Sequence, residues 1–318
     1  MADVVCMGEL LIDFVPTETG RGLADADTFH KAAGGAPANV AVGLARLGVA
    51  SAFMGKVGAD GFGTFLTDTL ADAGVDTTPL TTTTEALTCV AFVSLRADGE
   101  REFLFYRSPS ADMLFAPTDV DAASLAACRL FHFGSVSLIA EPARAGTLAA
   151  VEAAKAAGAR VSYDPNLRLP LWPDAEAARS GMRQGLARAH LIKLAADEVA
   201  FLTGEADPIR GARALWHDEL ELMAVTLGAR GSIWLTAEAE GHAPGMAVTA
   251  VDTTGAGDAY MAGLVAGWLA GPDRDPATLD RLCRFANAVG ALTAGARGAI
   301  PALPTRAAVD AFLARGRP

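Results

Sequence analysis

Residues 252–258 read Asp252-Thr253-Thr254-Gly255-Ala256-Gly257-Asp258, and AYMAGLVAG follows. The apolar residues after Asp258 recur at helical spacing, so Gly255, Ala256 and Gly257 stand at a helix N-terminus. Small residues there let backbone N–H groups approach an anion closely, and the helix end adds about half a positive charge. That arrangement suits the negative charge that builds up when a phosphoryl group moves. Asp258 falls in the first helical turn, beside the same pocket, where a carboxylate can take a proton from an attacking hydroxyl. Taken alone, the segment also reads as a glycine-rich loop whose aspartate complements the helix dipole.

Upstream of this segment, short β-branched runs alternate with alanine-rich helical runs. Val4–Met7, Ala50–Val57, Leu130–Phe133, Arg160–Tyr163, Leu191–Leu194 and Met223–Thr226 read as strands. Pro37–Leu47, stopped by Gly48, and Gly63–Ala73, stopped by Gly74, read as helices. So do Pro142–Ala157, Ala175–Ala187, Asp197–Leu202 and Ile209–Trp216. Downstream, Ala256–Ala270, Pro276–Ala294 and Arg306–Arg315 make the C-terminal third helical. Such alternation predicts a mainly parallel sheet with helices on both faces and a site beyond the carboxyl ends of its strands. Two regions break it: Leu11–Pro16 with the stretch leading to Phe29, and Thr88–Leu95 with Arg101–Arg107 around the turn signal Asp98-Gly99. In the last arm Phe103, Phe105 and Arg107 share one face, and Leu104 and Tyr106 the other. The pieces fit either a small extra sheet or a hairpin of the core sheet. No repeat, low-complexity linker or second-domain boundary is visible.

Other segments carry polar groups to the predicted strand ends. Gly34-Gly35-Ala36-Pro37-Ala38-Asn39 leads into a helix. Its glycines permit close ligand approach, and Asn39 offers the donor and acceptor that a sugar hydroxyl needs. The same residues also fit a plain helix start with proline near its first position. Asp13 can accept hydrogen bonds from a polyol. Asp164-Pro165-Asn166-Leu167-Arg168 follows a strand, bringing Asn166 and Arg168 within reach of a polar ligand or simply fixing a turn. Lys193 ends another strand just before Asp197-Glu198, with Lys193 and Glu198 expected on the cofactor side, and Thr226-Leu227-Gly228-Ala229-Arg230-Gly231 can hold nucleotide phosphate. GxxxxGK[ST] is absent, Tyr260 stands where a dinucleotide fingerprint needs its third glycine, and no protein-kinase signature set occurs. The five histidines lack metal-ligand spacing, and no Ser/His/Asp hydrolase signature stands out.

Composition narrows the partners. The chain has 318 residues, 51% hydrophobic, which excludes a disordered chain. Its 26 basic and 37 acidic residues give a net charge of −11, which argues against nucleic-acid binding. No apolar run approaches a bilayer span, and the acidic N-terminus lacks the basic start of a signal peptide. Cys6, Cys89, Cys128 and Cys283 lie far apart, as expected of reduced, buried thiols in a cytoplasmic protein.

Taken together, these segments resemble the ribokinase-like, PfkB-type family of carbohydrate kinases over nearly the whole chain. The segment from Gly34 and DTTGAGD at 252–258 match its two signatures. GELLIDFVPT, GGAPANVAVGLARLG, REFLFYRSPSADML, SYDPNLRLPLWP and RGAIPALP resemble fructokinases in particular. The resemblance implies one kinase domain over 1–318, a Rossmann-like α/β core with a small β-sheet lid at about 12–33 and 88–112. It implies phosphorylation of D-fructose on its 6-hydroxyl by MgATP. Asp258 takes the base position, and Gly255, Ala256 and Gly257 the anion-hole positions. Asp13, Gly34, Gly35 and Asn39 match sugar-binding positions, and Arg107 and Arg168 are further sugar or phosphate contacts. Thr226, Gly228, Gly231 and Asn287 match nucleotide-side positions. Asp252, Thr254 and Gly298 resemble a monovalent-cation loop, where K⁺ often activates the family.

One departure is Ala195. The family often has Asn-x-x-Glu after the Lys193 strand, with the Glu organising Mg²⁺ and phosphate; Glu198 is present, but position 195 cannot hydrogen-bond through its side chain. The competing functions are a kinase for 2-keto-3-deoxygluconate or ribose and a non-catalytic sugar- or nucleotide-binding regulator. An extra sheet with exposed edges and an apolar face is unstable alone, so two lids are expected to pack in a homodimer, burying Phe103 or Phe105.

Overall fold

In the computed structural model, which describes residues 1–18, 22–95, 101–271 and 273–315, the chain starts in the middle of its main sheet. Strand β1 (Val4–Met7) leads out through β2 (Leu11–Pro16) and β3 (Phe29–Gly34). It returns by α1 (Ala36–Arg46) to β4 (Ser51–Gly58), α2 (Gly61–Asp72) and β5 (Leu80–Thr83). A second excursion makes β6 (Val90–Leu95) and β7 (Arg101–Tyr106). Then follow α3 (Ala122–Ala127), β8 (Leu130–Gly134), α4 (Ala143–Ala156), β9 (Arg160–Asp164), α5 (Ala175–Leu186) and β10 (Leu191–Ala195). After α6 (Ala196–Thr203), α7 (Pro208–Ala214) and β11 (Leu222–Thr226) comes the hairpin β12 (Gly231–Leu235) and β13 (Glu240–Pro244). Helices α8 (Ala256–Leu269), α9 (Pro276–Ala294) and α10 (Arg306–Arg315) close the chain.

Among the described residues the main sheet has the order β13-β12-β11-β10-β9-β8-β1-β4-β5. It is parallel from β5 to β11, and β12 and β13 are antiparallel. β1 pairs on both edges, Val4 opposite Ser51 on one side and Leu130 on the other. Its residues are buried on both faces, as a central parallel strand requires. Val4 and Cys6 pack with α1, α2, α8, α9 and α10, while Val5 and Met7 pack with α3 to α7. The chain travels to opposite sides of β1, so a crevice opens at the carboxyl ends of β1 and its neighbours.

Helix α8 is apolar all round because it is buried all round, between α1 and α9. Small residues make this fit possible. A Cβ on Gly43 of α1 would stand 2.7 Å from the Ala262 Cβ, and one on Gly263 would stand 2.9 Å from the Ala286 Cα. The first contact sets how closely the start of α1 approaches the start of α8.

The two irregular regions form a separate four-stranded sheet, ordered β3-β2-β6-β7, rather than a hairpin of the core sheet. The parallel pairing of β2 with β6 joins the two excursions. Asp98-Gly99 lies outside the described residues. The β12–β13 hairpin and β5 were not foreseen: GSIWL is short, and the bend before Glu240 has no Asn-Gly or Asp-Gly signal. The predicted helices match the observed ones to within two residues at each end, and α3 was not foreseen.

The α1–α8 contact makes a stability prediction. Gly43→Val overpacks it and is expected to cost about 1–3 kcal/mol, read by chemical denaturation. An unchanged midpoint would show that the two helices separate freely.

Candidate active site

Helices α2, α3, α5, α7 and α9 each begin at an aspartate whose side chain accepts first-turn N–H groups. Helices α1 and α8 begin differently. Their N-caps are Gly35 (φ 112°) and Gly255 (φ 75°), with no side-chain cap. Both backbones are in a region that favours glycine. A Cβ at Gly35 would run into the Glu9 carbonyl, and one at Gly255 would come within 2.8 Å of Ala299. Glu9 takes the Ala36 N–H at 2.9 Å, while Ala256 donates to the Thr253 carbonyl at 3.2 Å. The remaining first-turn amides of α8 are not consumed by a cap and are available to an anion.

Asp258 stands in that first turn of α8 and is buried. Asn39 of α1 donates to its Oδ2 at 2.7 Å, and Asn166, just beyond β9, donates to its Oδ1 at 3.1 Å. Burial raises the Asp258 carboxyl above the ordinary range, opposed by the Asn39 hydrogen bond and by the charges of Lys193 and Arg168. Asp13 of β2 lies close enough to interact with both Asp258 and Arg168. Burial pushes its carboxyl up to about 6, with Arg168 pulling the other way. Gly34 has no room for a Cβ because the Asp13 carboxyl packs on it.

A cavity of about 180 Å³ opens beside this cluster, lined by Asn166, Leu167, Arg168, Lys193, Ala195, Asp197 and Glu198. Glu198 is buried, and its two oxygens accept N–H groups from Leu167 and Ala195, each at 2.7 Å. The backbone of Ala195 thus holds Glu198 although its side chain cannot. Lys193 is buried too, bonded to Asp164 at 3.0 and 3.3 Å. A proton acceptor, free helix-end amides and a polar cavity converge here, as phosphoryl transfer to a hydroxyl requires.

Comparison with known proteins agrees with that chemistry. The family model described as pfkB family carbohydrate kinase matches residues 1–306. The chain belongs to this family. It is similar to probable fructokinase-7 of Arabidopsis thaliana, 49% identical and covering 99% of this chain and 93% of that protein. The crystal structure of fructokinase with bound ATP from Xylella fastidiosa matches with TM-score 0.91 and 37% identity, over 99% of both chains. A double-mutant fructokinase from Vibrio cholerae O395, in fructose, ADP and potassium ion bound form, matches with TM-score 0.87 and 35% identity over 98% of each chain.

Other residues singled out in this PfkB-family sequence fall in four places. Arg107 is buried in an ion pair with Asp112 at 2.8 Å and donates to the Val136 carbonyl, so its charge is already matched. Asn287 of α9 donates to the carbonyls of Ala243 and Pro244, tying α9 to β13. Thr226, Gly228 (φ 60°) and Gly231 (φ 93°) shape the turn between β11 and β12. Asp252 accepts the N–H and hydroxyl of Thr254 and the N–H of Gly298, which brings the three residues of the expected cation loop together. Asp164 was not among the expected site residues; the signal available was only its place at a strand end.

The raised carboxyls carry a pH prediction. As pH falls through about 6, Asp13 takes up a proton, and Asp258 does so above its ordinary range. Acceptor binding and proton removal weaken together, so kcat/KM for the sugar is expected to fall on the acid side near pH 6. A limb at or below about pH 4.5 would mean that both carboxyls ionise as in free peptides.

Proposed function

We propose that this chain is an ATP-dependent fructokinase, transferring the γ-phosphoryl group of ATP to the 6-hydroxyl of D-fructose to give D-fructose 6-phosphate and ADP. The observation that carries the reading is the buried Asp258 at the uncapped start of α8, gripped by Asn39 and Asn166. Its similarity to fructokinases over nearly the full length supports the sugar.

In this mechanism Asp13, Asn39 and the Gly34–Gly35 turn hold the sugar with its 6-hydroxyl against Asp258. Asp258 accepts the hydroxyl proton as the oxygen attacks the γ-phosphorus, and the bond to the ADP oxygen breaks. Amides at Gly255 and Gly257 and the α8 N-terminus absorb charge on the transferring group. The small sheet acts as the lid of a single kinase domain, excluding water that would compete as nucleophile. Mg²⁺ arriving with the nucleotide would sit on the Asp197–Glu198 side of the cavity, and when bound it neutralises charge on the phosphates. Thr226, Gly228, Gly231 and Asn287 would border the nucleotide. K⁺ would settle the loop around Asp252, Thr254 and Gly298, in line with the potassium ion in the Vibrio structure.

A 2-keto-3-deoxygluconate kinase would need cations for the substrate carboxylate. Arg107 is already paired with Asp112, so such a carboxylate would fall to Arg168, which lines the cavity, and the comparison of the two substrates below decides. The reading extends to a homodimer through the lid. Phe105 is half-buried beside Leu11, Cys89 and Ala91, while Leu104 and Tyr106 are exposed on the opposite face. The side chain of Phe103 lies outside the described residues. Light scattering at micromolar concentration is expected to give twice the chain mass, and an active monomer would remove this part.

The central test is Asp258→Asn. General-base catalysis typically contributes about 10²–10⁴-fold, so kcat with fructose is expected to fall at least about a hundredfold while ATP binding survives. Near-normal kcat in the folded variant would reduce Asp258 to a helix-end acid. Equal or higher kcat/KM with 2-keto-3-deoxygluconate would replace the proposed sugar.

A further inference from the structure

Behind the reacting groups lies a buried ion pair that the mechanism above does not use. Asp164 ends β9, and Lys193 lies beside it on β10, where Ile192 pairs with Tyr163. Both are almost wholly buried, at 3% and 5% exposure. The Lys193 ammonium donates to both Asp164 oxygens. It also sits directly under the first turn of α8, since a Cβ on Gly257 would lie 3.1 Å from the Lys193 Nζ. A buried pair of this kind is a poor source of stability, because desolvating both ions offsets their attraction.

Asp164 has a second task. Its Oδ1 accepts the Asn166 N–H at 3.2 Å, and Asn166 has φ 47°, a left-handed conformation rare outside glycine. Glu198 pins the next amide, that of Leu167. Held in this turn, Asn166 donates its side-chain amide to Asp258. One carboxylate therefore fixes both the cation under α8 and the amide that orients Asp258.

We propose that Asp164 and Lys193 are positioning residues for the proton acceptor, Asp164 by holding Asn166 in its turn and Lys193 by supplying the positive charge that keeps Asp258 ionised. This rests on Asp258 being the base. Charged groups face Asp258 from several elements: Asp13 from β2, Asp164 and Arg168 at the end of β9 and just beyond it, and Lys193 from β10, with Glu198 of α6 acting on Lys193. Burial opposes the charge of Lys193, but Asp164, Glu198 and Asp258 outweigh it and hold its pKa above the ordinary value. Lys193 is thus a fixed cation throughout the working pH range.

The two residues have opposite signs, so their removal has opposite effects. Lys193→Met takes a positive charge from beside Asp258, and its ionisation midpoint is expected to rise by about one pH unit. Asp164→Asn keeps an acceptor for the Asn166 amide but removes a negative charge, and the midpoint is expected to fall. Asp164→Ala also releases Asn166, so kcat is expected to drop about tenfold or more below that of Asp164→Asn, with KM for ATP little changed. A purely structural pair would not move the midpoint in opposite directions.

The test follows the Asp258 carboxyl by ¹³C NMR titration of the folded protein without substrate, assigned by its loss in Asp258→Asn. That readout holds whichever sugar is phosphorylated, so failure of the fructose reading leaves it intact. Where Lys193→Met does not fold, the double variant Asp164→Leu/Lys193→Met removes the pair together; the two charge effects offset, but Asn166 is released from donating to Asp258, so the midpoint is still expected to exceed the wild-type value. Unmoved midpoints in the variants, or a raised KM for ATP as the only effect of Lys193→Met, would overturn the proposal.

Discussion

The carboxylate of Asp258 lies buried at the first turn of α8, and a buried carboxylate keeps its charge only where donors and cations face it. Much of the surrounding architecture answers that constraint. Asn39 reaches it from α1, Asn166 from the end of β9, and Lys193 from β10. These elements lie far apart in the chain and meet because the sheet brings the carboxyl ends of its parallel strands to one edge. The glycine contact between α1 and α8 then brings the two helix starts within hydrogen-bond reach of each other.

The same economy appears in the helix ends. An aspartate cap is worth about 1 kcal/mol to a helix, and five helices away from the centre have one. At α1 and α8 glycine stands in that place; the first amide of α1 goes to Glu9, while the first turn of α8 keeps amides for an anion. A side-chain cap is given up at the two helix starts that meet at Asp258. The remaining helices and the nine-stranded sheet hold these two weak starts in place.

Much of this was legible in the sequence, for reasons of periodicity and residue type. Alternating apolar strands and alanine-rich helices led to the parallel sheet, and the run Gly255–Asp258 placed a carboxylate at a helix start, where it lies buried. Arg107 shows what residue type leaves unread: Asp112, five residues on, pairs with it through a turn that no spacing rule reveals. Asp164 shows the same. Its importance depends on register between neighbouring strands, which sets Lys193 beside it, and on a left-handed Asn166 that no glycine announces. The β12–β13 hairpin escaped because its apolar arm is short and its bend lacks a distinctive dipeptide.

The small sheet is wired to the crevice without slack. Only three residues separate β1 from β2, and β3 passes through Gly34 and Gly35 directly into α1. Asp13 rides on β2, opposite Ala32 of β3. With Asp13 and the Gly34–Gly35 turn as the proposed sugar contacts, an outward swing of this sheet would carry both away from Asp258. A phosphorylated product leaving by that route would not need to be released and then let out, since one stroke would do both. Tight grip on the incoming sugar and rapid discharge of the outgoing ester would then be settings of a single mechanical element.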